Sequence, residues 1–265
     1  MERQISKRKK QIRRRKRLLR KLIIFVYRCI CLGLMAGVVF LGIHIYKWMF
    51  VEHPNVLSPE EYPESLIALY ESNPEAKDFV LDYPENKEKE FHIDLSDEVE
   101  QGSIPLFLQW DKRWGYEIYG TDFVAVTGCG PTCLSMVRCG LSGDTVWNPL
   151  VVAELAQDLG FYVEGSGSSW ELMTTGAAEI DLEAKEVIFD AEHILASLKS
   201  GNPIICAMRA GDFTTSGHFV VLAGVNEKGE VTVCDPNSRK NSEKPWAVEE
   251  LMPQIKNLWS YTYIG

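Results

Sequence analysis

Four textures of apolar and polar residues succeed one another along the chain. From Leu22 to Tyr46 nearly every residue is apolar, and Cys29 to Ile43 is an unbroken apolar run. As helix this stretch spans about 37 Å at about 1.5 Å per residue, enough to cross a bilayer with tilt. Arg28 lies within snorkelling reach of one interface, and Tyr27, Tyr46 and Trp48 suit the interfacial belts. The pattern then thins. Residues 52–100 hold fifteen acids and three lysines, with Pro54, Pro59, Pro63, Pro74 and Pro84 spaced through them. Within this linker-like composition, Ser65–Tyr70 and Ala76–Leu81 keep helical spacing, and Pro63 and Pro74 are each followed by Glu, as at helix starts. We read a short helical pair that packs on the domain or shields one face of it, and extended, solvated chain over 84–103.

From Ile104 the pattern becomes that of a packed domain. Ile104–Trp110 is a short apolar segment, and turn material continues to Gly128. Pro131–Gly140 predicts a helix, Asn148-Pro149 opens a second that Gly160 stops, Ser168-Ser169-Trp170-Glu171 matches a capping box for a third, and Asp190–Ser200 forms a fourth before Gly201. The texture then switches to strand-like runs at 203–208, 218–224 and 231–234. The turn Asn226–Gly229 pairs the last two antiparallel. Ala247–Lys256 reads as a helix ended or kinked at Pro253, and 259–263 as a last strand. Helices first and an antiparallel sheet second make an α+β domain, and its 162 residues can bury a core of their own.

Charge divides the chain where hydropathy does. Residues 1–21 carry twelve Lys/Arg and one acid, which leaves 16 basic and 36 acidic residues in 22–265, a formal net of −20. An acidic body argues against a nucleic-acid partner. The positive-inside rule puts residues 1–21 in the cytoplasm and the rest beyond residue 52 outside the cell. A cleaved signal peptide is the weaker reading, because the apolar run is long and no small-x-small site comes after it. The expected organisation is therefore a basic cytoplasmic tail over 1–21, a transmembrane signal anchor over 22–48, an acidic stalk over 49–103 and a globular domain over 104–265. No metal-ligand spacing and no glycine-rich phosphate loop occurs, so neither a metal nor another cofactor is expected.

The candidate chemistry starts at Gly128-Cys129-Gly130-Pro131. Glycines flank a side chain where the backbone turns sharply or must let something come close, and proline suits the first turn of a helix. Cys129 is thus expected at a helix N-terminus, where free N–H groups favour a thiolate; a structural cysteine in a tight turn fits the four residues equally well. A thiol nucleophile needs a base. Among five histidines, His44 falls in the apolar segment, His53 and His92 in the stalk, and His193 in a helix's first turn. His218 starts an apolar strand directly after Ser216-Gly217. Asp235 ends the strand paired with it, which places Asp235 to hold one imidazole nitrogen while the other faces the thiol. Asn237 is a second candidate for that role. Gln109, on the separate segment before the turn region, could give its carboxamide to an oxyanion hole together with the Cys129 N–H.

Gln109, Gly128-Cys129-Gly130-Pro131-Thr132, Gly217-His218-Phe219-Val220-Val221 and Asp235-Pro236 resemble the papain-like cysteine peptidases of the bacteriocin-processing, double-glycine type, and more closely their stand-alone exported bacterial relatives. The resemblance covers about 104–265. It implies a papain-like fold, with Cys129 as nucleophile, His218 as base, Asp235 as its orienter, Gln109 in the oxyanion hole and a peptide or protein as substrate. The best-known members are fused to a transporter and cut leader peptides on its cytoplasmic side. This chain has no ATPase portion and an outward topology, so the double-glycine substrate does not transfer. A peptide- or envelope-binding protein with an idle site, and an acyl transferase or amidase using the same triad, are the rival functions. Five cysteines lie beyond the anchor; Cys206–Cys234 could bridge, or both could serve as small core residues.

Overall fold

The computed structural model describes residues 57–265 and, ahead of them, only Gly37, Leu41 and Gly42, which are helical. Met1–Leu57 and Ser58–Gly265 are separate compact units. The expected anchor over 22–48 lies outside the described residues apart from those three; among the described residues no helix is long and apolar enough to cross a membrane.

The 58–265 unit is built on one five-stranded antiparallel sheet. Ahead of it in sequence come α1 (Glu64–Ser72) and α2 (Lys77–Leu81). A two-residue hairpin, β1 (Ile118–Tyr119) and β2 (Asp122–Phe123), leads through a single helical turn at 124–127 into α3 (Cys129–Ser142). Next are α4 (Pro149–Asp158) and a second small hairpin of β3 (Tyr162–Val163) with β4 (Gly167–Ser168). The large sheet uses β5 (Leu182–Glu186), β6 (Ile204–Met208), β7 (His218–Val225), β8 (Val231–Cys234) and β9 (Ile255–Tyr263). Its order is β5-β9-β6-β7-β8. Helix α5 (Ala191–Lys199) precedes β6, and α6 (Arg239–Glu243) comes after β8.

Two cores flank the sheet. The first gathers Leu134 and Val137 of α3, Val152 and Ala156 of α4, and Val221, Cys234 and Tyr261 from the sheet. The second gathers Ile194 and Leu198 of α5 with Ile204, Cys206, Val220, Trp246 and Leu251. With both faces covered, β6 is buried at every position, which is why it reads as a continuous apolar run rather than an alternating one. This is the α+β architecture expected, and it fits a papain-like arrangement with the cysteine on a helix, the histidine at the start of β7 and the aspartate directly after β8.

Several boundaries differ from expectation for identifiable reasons. The capping box at Ser168–Glu171 does not close: a 3₁₀ turn runs from Trp170 to Met173, Ser169 makes no cap bond, and its buried hydroxyl has no partner. The expected helix over 247–256 stops at Leu251; a 3₁₀ turn holding Pro253 ends it, and β9 begins at Ile255, four residues earlier than expected. Strand β5 escaped the pattern because only Leu182 of its five residues is buried. It is an edge strand, and charged residues on an edge carry no alternation to read.

The helical pair expected within the stalk is present as α1 and α2, and it packs on the domain. Leu66, Ala76 and Val80 are fully buried, and the Phe79 ring stacks on Tyr116 at 4.2 Å. Leu95, in the stretch expected to be solvated, is 1% exposed and belongs to the first core. Spacing in the sequence indicates the buried positions of the two helices; Leu95 is the contact that the acidic, proline-rich composition hid.

The five described cysteines are all free. A Cys206–Cys234 bridge is ruled out by register. Cys206 lies opposite Val220 and Cys234 opposite Val221, and successive strand residues point to opposite faces. One thiol joins each core.

Candidate active site

The two glycines around Cys129 answer to separate contacts. A Cβ on Gly128 would lie 2.5 Å from the Val124 carbonyl oxygen, and one on Gly130 would lie 2.7 Å from Ser168 Oγ and 2.9 Å from Ser168 Cβ. Gly128 lets the turn at 124–127 pass directly into α3, and Gly130 lets β4 close over the helix start. Ser168 is itself fixed by a 2.8 Å hydrogen bond with the Tyr119 hydroxyl, so it cannot simply step aside. Gly130→Ala is expected to cost about 1–3 kcal/mol by overpacking, read as a lower urea midpoint at unchanged slope; Ser168→Gly in the same chain should recover part of it. An unchanged midpoint would mean that β4 does not press on the helix start.

Cys129 occupies the first position of the fourteen-residue α3, with Gly128 as N-cap. Its N–H has no backbone acceptor among the described residues, so the amides of the first turn and the helix dipole face the sulfur region. His218 starts β7 opposite Met208 and reaches the same cleft. Its side chain is 7% exposed, and Nε2 pairs with Asp235 Oδ1 at 2.7 Å. The other ring nitrogen is the one left for the thiol.

Asp235 is 1% exposed and held from every side. Oδ1 also accepts from the Asn237 N–H at 2.9 Å, Oδ2 accepts from Asn241 Nδ2 at 2.8 Å, and the Asp235 N–H donates to Ser242 Oγ at 2.9 Å. Asn237, the second candidate, turns away: its backbone and side-chain oxygens both accept from Asn73 Nδ2 at 2.8 Å. Of the two candidates, the structure brings only Asp235 to the imidazole.

Electrostatics separate Cys129 from the other thiols. Burial works against its thiolate, but the hydrogen bond and charge of His218 and the N–H groups of Phe219 and Gly130 outweigh it and lower its pKa. Burial likewise opposes the His218 imidazolium; Asp235 first and the Cys129 thiolate second overcome it and raise the group to about 10. The thiols of Cys133, Cys139, Cys206 and Cys234 are all pushed up by burial. Among the described residues the arrangement therefore favours a thiolate–imidazolium pair at one site only.

Gln109 is 3% exposed and borders the cleft. Its Nε2 donates to the Ala125 carbonyl at 2.7 Å and approaches that of Val126 at 3.4 Å, while its buried Oε1 has no partner. One amide hydrogen is committed to the turn that precedes Cys129, and the other is held weakly. The remaining histidines stand apart. His92 is exposed, His193 is exposed beside its own helix cap Asp190, and His44 and His53 lie outside the described residues. Among the described residues no group of His, Cys, Asp or Glu is placed to hold a metal ion.

Sequence reading missed the outer support of the site. Glu75 Oε1 accepts from Ser238 Oγ at 2.5 Å, and Oε2 accepts from the N–H groups of Arg239 and Lys240 at 2.8 and 3.3 Å. With Asn73 on Asn237, the junction between α1 and α2 clasps the loop that carries Asp235. The signal was present in Pro74-Glu75, but it suggested a carboxylate at its own helix start. The carboxylate instead caps α6, a helix far away in sequence.

The model of the Peptidase_C39 like family matches residues 102–265, more than half of the chain. The chain belongs to this family. C39-like membership supports a cysteine peptidase as the general class. Two solved structures are similar in part. One, from Bacillus anthracis and described as a C39-like peptidase, shares 17% identity at a TM-score of 0.41, covering 62% of this chain and 96% of its own. The other is a double glycine motif protease from an AMS/PCAT transporter, in complex with the leader peptide; it shares 22% identity at a TM-score of 0.38, covering 62% of this chain and 97% of its own. No curated protein matches. The C39-like region begins after the clasp, so Asn73 and Glu75 lie ahead of the family match.

Proposed function

We propose that the protein is a membrane-anchored, extracytoplasmic cysteine peptidase acting through Cys129, His218 and Asp235. The observation that carries this reading is the imidazole of His218, gripped through Nε2 by a buried carboxylate and lining one cleft with a thiol at a helix start. In this reading the Cys129 thiolate attacks the peptide carbonyl carbon, forming the S–C bond. The Cys129 N–H and the weakly held Gln109 amide hydrogen receive the oxyanion. The His218 imidazolium then protonates the leaving amine as the C–N bond breaks. Water, deprotonated by the neutral imidazole, cleaves the thioester and frees the thiol.

The test is hydrolysis of a mixture of unstructured peptides, read by mass spectrometry. Wild type should generate new termini, and Cys129→Ala none. If wild type generates none while its Cys129 is rapidly alkylated, the activated thiol serves another acceptor and the peptidase reading fails. The membrane part of the proposal rests on the apolar run Cys29–Ile43 and the basic head before it. A tag at Gly265 should be cut by protease added to intact spheroplasts; protection of the tag would reverse the orientation.

A further inference from the structure

The cleft divides at Cys129 and His218 into two recesses of opposite charge. One, of about 540 Å³, is bordered by Ser166, Trp170, Arg209 and Lys256, and no carboxylate lines it. The other is bordered by Glu75, Asp122, Asp212 and Asp235, and no lysine or arginine lines it. The division is built into the fold. Arg209 directly follows β6 and Lys256 is the second residue of β9, two strands that pair and shift register between Ala207 and Met208. Arg209 is pinned at that end: its N–H donates to the Gln254 carbonyl at 2.8 Å, and Nη2 donates to that of Ile255 at 2.8 Å. Lys256 Nζ lies 5.2 Å from the centre of the Trp170 ring, and that ring meets Trp259 edge-on at 5.6 Å.

Both cations are exposed. Among the described residues neither has a carboxylate partner. That is unexpected in a body where acids outnumber bases 36 to 16. Two such cations in a recess shared with the thiol raise the local concentration of carboxylates there. The opposite recess repels them, so charge also sets which way round a peptide lies.

We propose that this cleft selects peptides carrying an acidic side chain, received by Arg209 and Lys256 over the Trp170 ring. The proposal rests on the cysteine-peptidase reading and names its substrate class. Trp170 supplies the apolar wall for the methylenes of the acidic residue, and the two cations supply the charge.

The test uses three thiol reagents of equal reach: the α-amides of N-iodoacetyl-glutamate, N-iodoacetyl-glutamine and N-iodoacetyl-lysine. In each the Cys129 thiolate attacks the iodomethyl carbon, the S–C bond forms, and iodide leaves. Rates at Cys129 in the purified full chain, read by mass spectrometry at low salt, should fall in the order glutamate, glutamine, lysine. The glutamate reagent should lead the glutamine reagent by about fivefold, a gap that closes at high salt. Lys256→Gln should reduce the gap, and adding Arg209→Gln should abolish it. Lys199→Gln, the same charge change on α5 outside both recesses, should leave it intact. Equal rates for the three reagents in wild type, or a lead for the lysine reagent, would overturn the proposal while leaving the activated thiol standing. If Cys129 reacts with all three no faster than Cys206, the peptidase reading falls and this inference falls with it.

Discussion

Replacing His218 with alanine is expected to slow iodoacetamide modification of Cys129 at pH 6 by about 100-fold or more, because an ordinary thiol is under about 1% thiolate there. In wild type, burial opposes the thiolate and the imidazolium overrides it. The substitution removes the override and keeps the burial. The pH profiles should differ in sign-specific ways. The Cys129 pKa is lowered, so wild-type reactivity should persist well to the acid side of the usual thiol range; the variant's should climb only within or above it. The His218 proton is held to about 10, so steps that need the imidazolium fade as the pH rises through that value. The same pairing is a stability term. Because the folded pKa of His218 is raised above 6.5, its contribution is complete below 6.5 and lost as the pH rises towards about 10. An unchanged rate in His218→Ala at pH 6 would sink the ion-pair account. Cys206, 0% exposed and with its pKa raised, is the internal control in each digest.

The second large effect concerns where the working protein begins. A chain of residues 102–265 covers the whole family match, yet it is expected to be far less stable than 57–265, with a melting temperature lower by about 10 °C or more, or to be insoluble. Truncation strips Leu66, Ala76, Val80 and Leu95 from their contacts and bares the Tyr116 ring beneath Phe79. Losing several buried apolar side chains at about 1.5–3 kcal/mol each rivals the whole stability of a domain. A subtler variant separates packing from positioning. Glu75→Ala leaves the apolar contacts alone but frees Ser238 and the amides of Arg239 and Lys240. It should cost about 1–2 kcal/mol as a lost charged cap, and it should move the pH profile of Cys129 alkylation towards the ordinary thiol range. A truncated chain that melts with the longer one, or a Glu75→Ala profile superimposed on wild type, would show that the segment merely rides on the domain.

Legibility in the sequence tracked the length scale of the interactions. Helix α3, the strands β6 to β8 and the pairing of β7 with β8 were legible because each is set by local periodicity and one turn. His218 and Asp235 came from that pairing, since antiparallel register alone puts the start of one strand beside the end of the other. The support shell was not legible. Asn241 on Asp235, Asn73 on Asn237 and Glu75 on α6 are contacts between short polar residues whose local patterns have adequate local meanings. Nor could the sequence show that the Gln109 nitrogen leans on Ala125, because the direction of a carboxamide is decided by whichever carbonyl lies nearest in space. Leu95 was hidden for a related reason: among the acids of 84–103 it has no period, and only the partner surface reveals that it matters.

The clasp also dictates an order of events. Glu75 and Ser238 meet across 163 residues, so a ribosome must deliver almost the entire chain before that contact can form. Cys129 emerges long before His218, and until β7 is laid against β6 its sulfur is an ordinary thiol with no proton acceptor in place. Reactivity thus arrives late, when the protein is nearly finished, and the half-made chain is spared its own chemistry. The same ring is among the longest to close, and its bonds to the Arg239 and Lys240 amides are exposed, which places them among the first contacts to open on warming. Heat should therefore silence the thiol some degrees before the sheet melts, and cooling should return it without refolding the core.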